Sequence, residues 1–270
     1  MADRAAYRRI LEDLAAEHHD LDALVASLDD DAWEAPTPAA GWAVRDQIGH
    51  LAFYDARALE ALTDQDEFAV GVQEMVRLVS EDPSAAPDLV EARALAPGEL
   101  LELWRTERGR LLGTMATVEP DRRIPWYGPA MGAVSFATAR LMETWAHGQD
   151  VADAVGVTRL PTARLRHVAH IGVRAAPFNF VSHDLAPPAE PIRVELRGPE
   201  HDLWAWGPEG VPDVVRGSAI DFCLVVTQRR HAADTHLEVE GPVASEWMSI
   251  AQAFAGPPGP GRLPGEFPTA

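Results

Sequence analysis

The chain of 270 residues carries 23 Lys and Arg against 42 Asp and Glu, which gives a formal net charge of −19, and 47% of its residues are hydrophobic. This length and composition predict a globular protein of one large or two modest domains. No cluster of Lys or Arg supplies the basic footprint that a phosphate backbone needs, which argues against nucleic acid as a partner.

Two further features concern the cellular location and the redox chemistry. No run approaches the roughly 18 uninterrupted apolar residues that cross a bilayer, and the charged N-terminal stretch lacks the apolar segment of a signal peptide. We therefore expect a cytoplasmic protein without a membrane partner, acting as a monomer or homodimer. The single cysteine, Cys223, lies in the apolar run "SAIDFCLVV". Disulfides and thiolate zinc sites are excluded, and we predict a small buried side chain rather than a nucleophile.

The first 160 residues contain four long segments with the three- and four-residue apolar spacing of amphipathic helices. Between the second and third of them, the acidic and proline-containing stretch 64–97 predicts a long connection with a short helix at 68–80. Four long helices with one long crossover predict a four-helix bundle. The predicted helices cover residues 4–28, 42–62, 96–118 and 133–156, the last closed by Gly156 as a C-cap.

The sequence changes in character after residue 160. One more helix is predicted over 162–183, kinked or ended at Pro177, and the following residues alternate in the manner of short strands. We therefore predict an α+β fold class, with a four-helix bundle over 1–160, a smaller α+β domain over 161–256 and a Pro/Gly-rich tail over 257–270. The predicted strands are 191–198, 201–207 and 235–241, and the predicted later helices are 217–229 and 242–256.

Acidic and imidazole side chains occupy two of the bundle helices where aliphatic residues would be expected. Glu143 and His147 are four residues apart, so a helix projects both from one face. Such a pair can hold a divalent metal or form a surface ion pair, and His50 on another helix can complete a metal site if both helices face the bundle interior. Two histidines and one carboxylate suit zinc, with iron, nickel or manganese as alternatives, and leave one coordination position open.

Two motifs carry a family resemblance. "GWAVRDQIGHLA" at 41–52 and "METWAHGQDVADA" at 142–154 resemble the motif pair of DinB-like metal-binding bundles, and in particular of the mycothiol-dependent maleylpyruvate isomerase family. The stretch from 214 to 241 is similar to part of that family's C-terminal domain, which resembles sterol-carrier folds. The resemblance implies that His50, Glu143 and His147 are the metal ligands.

The resemblance also implies a reaction. A low-molecular-weight thiol, mycothiol, would bind at the open metal position as the thiolate and add to an electrophilic carbon of a small substrate. In an isomerase the adduct rotates and expels the thiol, whereas in an S-transferase the thiol stays attached. The alternative is a metal-binding protein of the same fold without thiol chemistry, with a stress or sequestration role, or a lyase or cyclase of secondary metabolism.

Two more residues are assigned to the thiol by the resemblance. Asp150 matches an aspartate that would lie around the metal or contact the sugar amine of the thiol, and Arg229 matches an arginine that contacts substrate or thiol. Gln228 replaces the family's glycine and Arg230 follows, so either arginine is a candidate for the pocket. Weaker candidates are His18 and Arg108 as pocket residues, Tyr54 as an acid/base group or a packing residue, and the pair His167 and His170 as a second metal site.

Overall fold

The computed structural model describes residues 3–82, 85–259 and 261–267. The chain divides into two compact units, Met1–Thr158 and Arg159–Ala270. The first unit contains long helices, and the second combines three helices with a small sheet. This confirms the predicted α+β class with an N-terminal four-helix bundle and a smaller α+β C-terminal part. None of the helices formed by the described residues is long and apolar enough to cross a membrane.

Four long helices make up the bundle of the first unit, and three shorter ones connect them. The bundle helices are α1, α3, α6 and α7, in which α3 packs on α6 and α7 while α1 packs on α7 and α6. The helices are α1 (Arg4–Val25), α2 (Asp30–Trp33), α3 (Val44–Thr63), α4 (Gln65–Glu81), α5 (Val90–Ala94), α6 (Pro97–Met115) and α7 (Ala133–Ala154).

Two apolar clusters fill the two ends of the bundle and reveal the helix directions. One cluster joins the starts of α1 and α7 to the ends of α3 and α6, and the other joins the opposite ends. Thus α3 and α6 run parallel to each other, so the chain needs a crossover to pass from one to the other. Members include Ile10, Leu62, Met115 and Phe136 in the first cluster and Leu21, Ile48, Trp104 and Val151 in the second.

A polar layer lies between the two apolar clusters. Arg140 of α7 donates to Asp55 Oδ1 of α3 from Nε at 3.1 Å and from Nη2 at 2.9 Å, and both residues are buried. Arg108 of α6 donates to the carbonyl oxygen of His18 at 2.8 Å and lies over the ring of Trp104. Burial, followed by the charges of the two arginines, lowers the pKa of His18 to about 3, so its ring is neutral. His18 and Arg108 therefore face inward, as predicted, and belong to this layer.

The crossover between α3 and α6 contains more regular structure than expected. The predicted short helix at 68–80 is the 17-residue α4, followed by a 3-10 turn at Pro87–Leu89 and by α5. The connection after α1 also includes the four-residue α2, which was missed, and α1 ends at Val25, three residues before its predicted end. Asp29 caps α2 by accepting a hydrogen bond from the backbone of Ala32 at 2.9 Å.

The C-terminal end of α7 follows its prediction. Gly156 has a φ of +68°, and the amide of Val157 donates to the carbonyl of Ala152 at 2.9 Å. This is the hydrogen bond of a Schellman motif, in which glycine adopts the left-handed backbone without a steric penalty. The cap ends the helix that carries Glu143 and His147.

The second unit contains a four-stranded sheet with the order β4–β3–β5–β6. The pair β3 and β5 is parallel and the other two pairs are antiparallel. Two parallel strands cannot be joined by a tight turn, so the chain must return to the same end of the sheet between β3 and β5. The edge strand β4 lies on this return. The remaining elements are β1 (Arg123–Ile124) and β2 (Met131–Gly132) of the first unit, then α8 (Leu165–Ser182), β3 (Arg193–Arg197), β4 (Leu203–Trp206), β5 (Val214–Ser218), α9 (Ala219–Val226), β6 (Glu238–Glu240) and α10 (Pro242–Ile250).

Three details of the second unit differ from the prediction. Helix α8 is present as predicted, but of the two alternatives at Pro177 an end is wrong, because the helix continues to Ser182. Strand β5 was missed because its residues run directly into α9, and α10 ends at Ile250 rather than at residue 256. The chain after α10 is held by Asn179, whose side chain donates to the Gln252 carbonyl at 2.7 Å. The prediction that Cys223 is a small buried side chain is confirmed.

The Pro/Gly-rich tail carries no helix or strand among its described residues, 257–259 and 261–267. Its backbone contacts the second unit, where Gly265 donates to both carboxylate oxygens of Asp234 at 2.8 Å. The ring of Phe267 lies under the guanidinium of Arg230. This segment therefore packs on the second unit as an extended strap. Residues 260 and 268–270 of the predicted tail lie outside the described residues.

Candidate functional site

Three side chains of the bundle converge at the level of the polar layer. His50 of α3 and Glu143 and His147 of α7 each offer one nitrogen or oxygen atom, and these atoms lie within 4.8 Å of one another. The two imidazole rings are 4.5 Å apart between centroids, and His147 Nε2 is 3.3 Å from Glu143 Oε2. The sequence predicted this set, and the structure places its members together.

The spacing of these atoms fits a small divalent cation. Two ligands at about 2.1 Å from a tetrahedral ion are about 3.4 Å apart, close to the distance between His147 and Glu143. His50 offers its atom within 4.8 Å of the other two. Within the part of the chain that the structure describes, no other group of three or more His, Cys, Asp or Glu side chains comes this close. The pair His167 and His170 therefore lacks the further ligand that a second metal site needs.

Each imidazole is oriented by a hydrogen bond on the side away from the cluster. His50 Nδ1 is 2.8 Å from Asp88 Oδ2, and His147 Nδ1 is 2.6 Å from Gln47 Oε1. Because a carboxylate and an amide oxygen are acceptors, Nδ1 is the donor in both rings, and Nε2 is the nitrogen that each ring has left for the cluster. Metal-binding histidines are commonly oriented in this way.

The close approach of the crossover to α3 brings Asp88 to the cluster. A Cβ atom at Gly49 would lie 2.2 Å from the Cβ of Ala92 in α5, so only glycine permits this contact next to His50. Arg45 holds the end of α5 from the other side, donating to the carbonyl oxygens of Ala92, at 3.0 Å, and of Leu95. The chain therefore positions Asp88 through backbone packing as well as through its hydrogen bond.

The two carboxylates of the site are ionised. Burial by itself opposes ionisation of Glu143, but the hydrogen bond from His147 and the charges of His147, Arg140 and His50 outweigh burial and lower its pKa. The pKa of Asp88 is lowered in the same way, with burial opposed by the hydrogen bond and charge of His50. Both groups are therefore available as anions at neutral pH.

Aromatic side chains surround the cluster. The ring of Trp42 stacks on His147 at 6.0 Å and lies 5.3 Å from His50, and Tyr54 lies 4.5 Å from His50. Tyr54 contacts Tyr127 from the loop between β1 and β2. Burial, followed by the charge of Asp88, raises the pKa of Tyr54, so its hydroxyl stays protonated and can donate a hydrogen bond.

The family resemblance assigns two residues to contacts with the thiol, and these residues lie in different units of the chain. Asp150 is buried on α7, one turn after His147, which excludes a surface role. Arg229 follows α9 in the second unit and donates to the carbonyl of Thr227 at 2.6 Å. Its neighbour Arg230 donates to the carbonyl of Arg229 at 2.7 Å. Contacts of Asp150 and Arg229 with a thiol remain predictions.

The residues that orient the two imidazoles were not predicted from the sequence. Gln47 stands three residues before His50 within "GWAVRDQIGHLA", so helical spacing and the motif together were a usable signal for it. Asp88 is far from both motifs in the chain, within the stretch treated as a connection. No local pattern identifies Asp88, because only the packing of α5 on α3 brings it close.

We expect Asp88→Ala to lower the zinc affinity of the protein about 10–100-fold, because His50 loses the acceptor that fixes its tautomer and orientation. Asp88→Asn, which retains an acceptor oxygen, should have a smaller effect. The measurement is competition with a chelator of known affinity. Glu102→Ala, which removes an exposed carboxylate paired with Arg105, is the control. Equal affinities for Asp88→Ala and the control would contradict an orienting role.

Similarities to known proteins show the family to which this chain belongs and the fold that it shares with solved structures. A family model described as the mycothiol maleylpyruvate isomerase N-terminal domain matches residues 14–152, and one described as wyosine base formation matches residues 188–238. Two uncharacterized proteins of Mycobacterium tuberculosis, from strains CDC 1551 and H37Rv, are each 50% identical over 264 residues. These alignments cover 97% of this chain and 100% of each relative.

Two crystal structures share the fold. One is of the mycothiol-dependent maleylpyruvate isomerase, with a TM-score of 0.57 and 15% identity, and the other is of a histidine-to-alanine mutant of that enzyme, with 0.54 and 16%. Each match covers 85% of this chain and 93% of the other. The family model spans about half of this chain and includes all three residues of the cluster. The chain therefore belongs to the mycothiol maleylpyruvate isomerase family.

Proposed function

We propose that this protein is a metal- and thiol-dependent enzyme in which His50, Glu143 and His147 bind one divalent cation. The observation that carries the proposal is the convergence of two oriented imidazoles and one ionised carboxylate within 4.8 Å. This mixed set of nitrogen and oxygen ligands suits zinc, with iron, nickel or manganese as alternatives. Three protein ligands leave one position open for an external ligand, as in catalytic sites.

The external ligand is a low-molecular-weight thiol, and family membership supports mycothiol. When bound, the cation would keep such a thiol deprotonated at neutral pH. Cys223 cannot supply the sulfur, because it is buried and burial raises its pKa. Asp150 and Arg229 are the residues we assign to contacts with the thiol. A cytoplasmic location, where such thiols are kept reduced, agrees with this chemistry.

The substrate is a small electrophile with a conjugated double bond, of the maleylpyruvate type. The thiol sulfur adds to one carbon of this bond and the neighbouring carbon gains a proton. In isomerisation the carbon–carbon bond rotates, the proton leaves and the carbon–sulfur bond breaks, so the thiol is recovered. In S-transfer the adduct is the product. Tyr54 and Trp42 would flank the reacting groups, with the Tyr54 hydroxyl as a donor to a substrate oxygen.

Titration calorimetry with mycothiol tests this function. We expect the zinc-loaded protein to bind the thiol and the metal-free protein not to bind it, because the sulfur needs the open coordination position. Incubating the loaded protein with thiol and maleylpyruvate should then give either the trans isomer or an S-conjugate. NMR spectra separate the two products, because the trans isomer keeps its pair of coupled vinyl protons and the S-conjugate, whose double bond is saturated, has none.

The rival function makes the opposite prediction for the same experiment. A metal-binding protein without thiol chemistry would take up zinc and give no heat with mycothiol in either form. Zinc uptake without thiol binding would therefore reject the enzyme proposed here. If the zinc-loaded and the metal-free protein bound mycothiol with equal affinity, the protein would still be a thiol-binding protein. The proposal that the thiol binds to the cation would then be rejected.

A further inference from the structure

An open groove lies beside the N-terminal end of α3. Its volume is about 550 Å³, within the range of about 300–1,000 Å³ that small-molecule sites occupy. Proteins bind small molecules where apolar walls meet a few oriented polar groups, and this groove has both. Its lining consists of Glu34, Pro36, Gly41, Trp42, Ala43, Arg45, Asp46 and Arg93.

The groove adjoins the histidine–glutamate cluster. Trp42 forms part of its wall and is the same residue whose ring lies 5.3 Å from His50 and 6.0 Å from His147. Asp46 stands four residues before His50, so both lie on one face of α3. A ligand in the groove is therefore one helical turn from the cluster.

The charges that line the groove balance one another. Arg45 forms an ion pair with Glu34, and Arg93 donates to Asp46 from Nε at 2.8 Å and from Nη2 at 3.2 Å. Two cations and two anions give no net attraction for a charged ligand. They do offer donors and acceptors to a neutral molecule rich in hydroxyl groups.

Arg93 is the group best placed to contact such a ligand. Its side chain is 50% exposed, whereas that of its partner Asp46 is 5% exposed. Nε and Nη2 are held by Asp46, which leaves Nη1 without a hydrogen bond among the described residues. The guanidinium is thus fixed in orientation with one edge toward solvent, and the ring of Trp42 supplies an apolar face nearby.

We propose that this groove binds the sugar part of the thiol, an inference that rests on the proposed function. Mycothiol joins a cysteine derivative through an amide to an amino sugar and a cyclitol, so it is a polyol with one sulfur. About 6 Å separates the sulfur from the sugar ring along this linkage, which is long enough to span the one helical turn of α3 between the cluster and the groove. A neutral polyol suits the balanced charges, whereas an anionic substrate would find no excess cation here.

The test compares two thiols on the zinc-loaded protein by titration calorimetry. Mycothiol carries the sugar, and N-acetylcysteine presents the same sulfur without it. We expect Arg93→Ala to weaken mycothiol binding at least about tenfold, because a hydrogen bond to a charged group is lost. Binding of N-acetylcysteine should not change. Arg77→Ala, which removes an exposed arginine paired with Glu74 and Glu81, is the matched control.

A second variant addresses the wall of the groove. Trp42→Leu should weaken mycothiol binding more than N-acetylcysteine binding, with zinc content measured in parallel because Trp42 also stacks on His147. Equal affinity of both thiols for the unaltered protein would overturn the groove site and leave the proposed function standing. Absence of binding by either thiol would overturn both. The groove site would also be overturned if Arg93→Ala weakened the binding of both thiols equally. The same holds if Arg77→Ala weakened mycothiol binding as much as Arg93→Ala does.

Discussion

Replacing Asp55 with alanine is expected to lower the free energy of unfolding by about 3–5 kcal/mol, the usual loss when one partner of a buried ion pair is removed. The side chains of Asp55 and Arg140 are 0% and 4% exposed, so water cannot solvate the guanidinium that remains. Whole domains are stable by about 5–15 kcal/mol, so this change removes a large share of the total. Urea unfolding followed by circular dichroism measures it.

Two further variants show whether the loss comes from the unpaired charge. Glu119→Ala breaks an exposed ion pair with Arg4 and should cost under about 1 kcal/mol. The double variant Asp55→Leu with Arg140→Met removes both buried charges and should recover most of the loss. An Asp55→Ala protein as stable as the Glu119→Ala protein would mean that Arg140 finds another partner. In that case the pair does not hold α3 to α7.

His147→Ala is expected to abolish metal binding and turnover together. Loss of one of three protein ligands should reduce zinc affinity well over 100-fold, more than the loss of an orienting group such as Asp88. The substitution also removes the Nδ1 group that donates to Gln47 Oε1 and the ring that stacks on Trp42. Bound zinc is measured by elemental analysis after dialysis, and folding is checked by circular dichroism.

A histidine outside the cluster provides the control for this loss. His167→Ala changes one member of the H-x-x-H pair in the second unit and should leave zinc content and turnover at the level of the unaltered protein. Turnover by metal-free protein, or by the His147→Ala variant without bound zinc, would rule out the proposed enzyme. A fall in zinc content for His167→Ala would point to a second metal site that the geometry does not support.

Periodic patterns predicted the bundle well and predicted its connections poorly. The stripes that define α1, α3, α6 and α7 are long, and each buries a continuous apolar face, so their spacing is visible in the sequence. Helix α4 buries only Phe68 completely, which is why its pattern suggested a shorter helix. Strand β5 ends where α9 begins, with Ser218 as both strand end and helix cap, so no turn residue marked the boundary.

Pro177 illustrates the limit of a local rule. Proline removes one backbone donor and disfavours the helical conformation of its predecessor, which predicted a kink or an end. Helix α8 continues for five residues beyond it to Ser182. Asn179 in this last part is buried and accepts from Trp247 Nε1 at 3.1 Å, so packing within the second unit holds the helix past the proline.

The sequence by itself determined the four helices and the i, i+4 pairing of Glu143 with His147, because helical periodicity is a local property, and the resemblance of its two motifs to a known family supplied His50 as their companion. Only the tertiary structure decided that His50 lies within 4.8 Å of that pair and that Asp88 orients its ring. The contact of Ala92 with Gly49 places Asp88, and this contact joins segments 43 residues apart in the chain. Such contacts depend on how side-chain volumes fit between helices, which spacing along one helix does not encode.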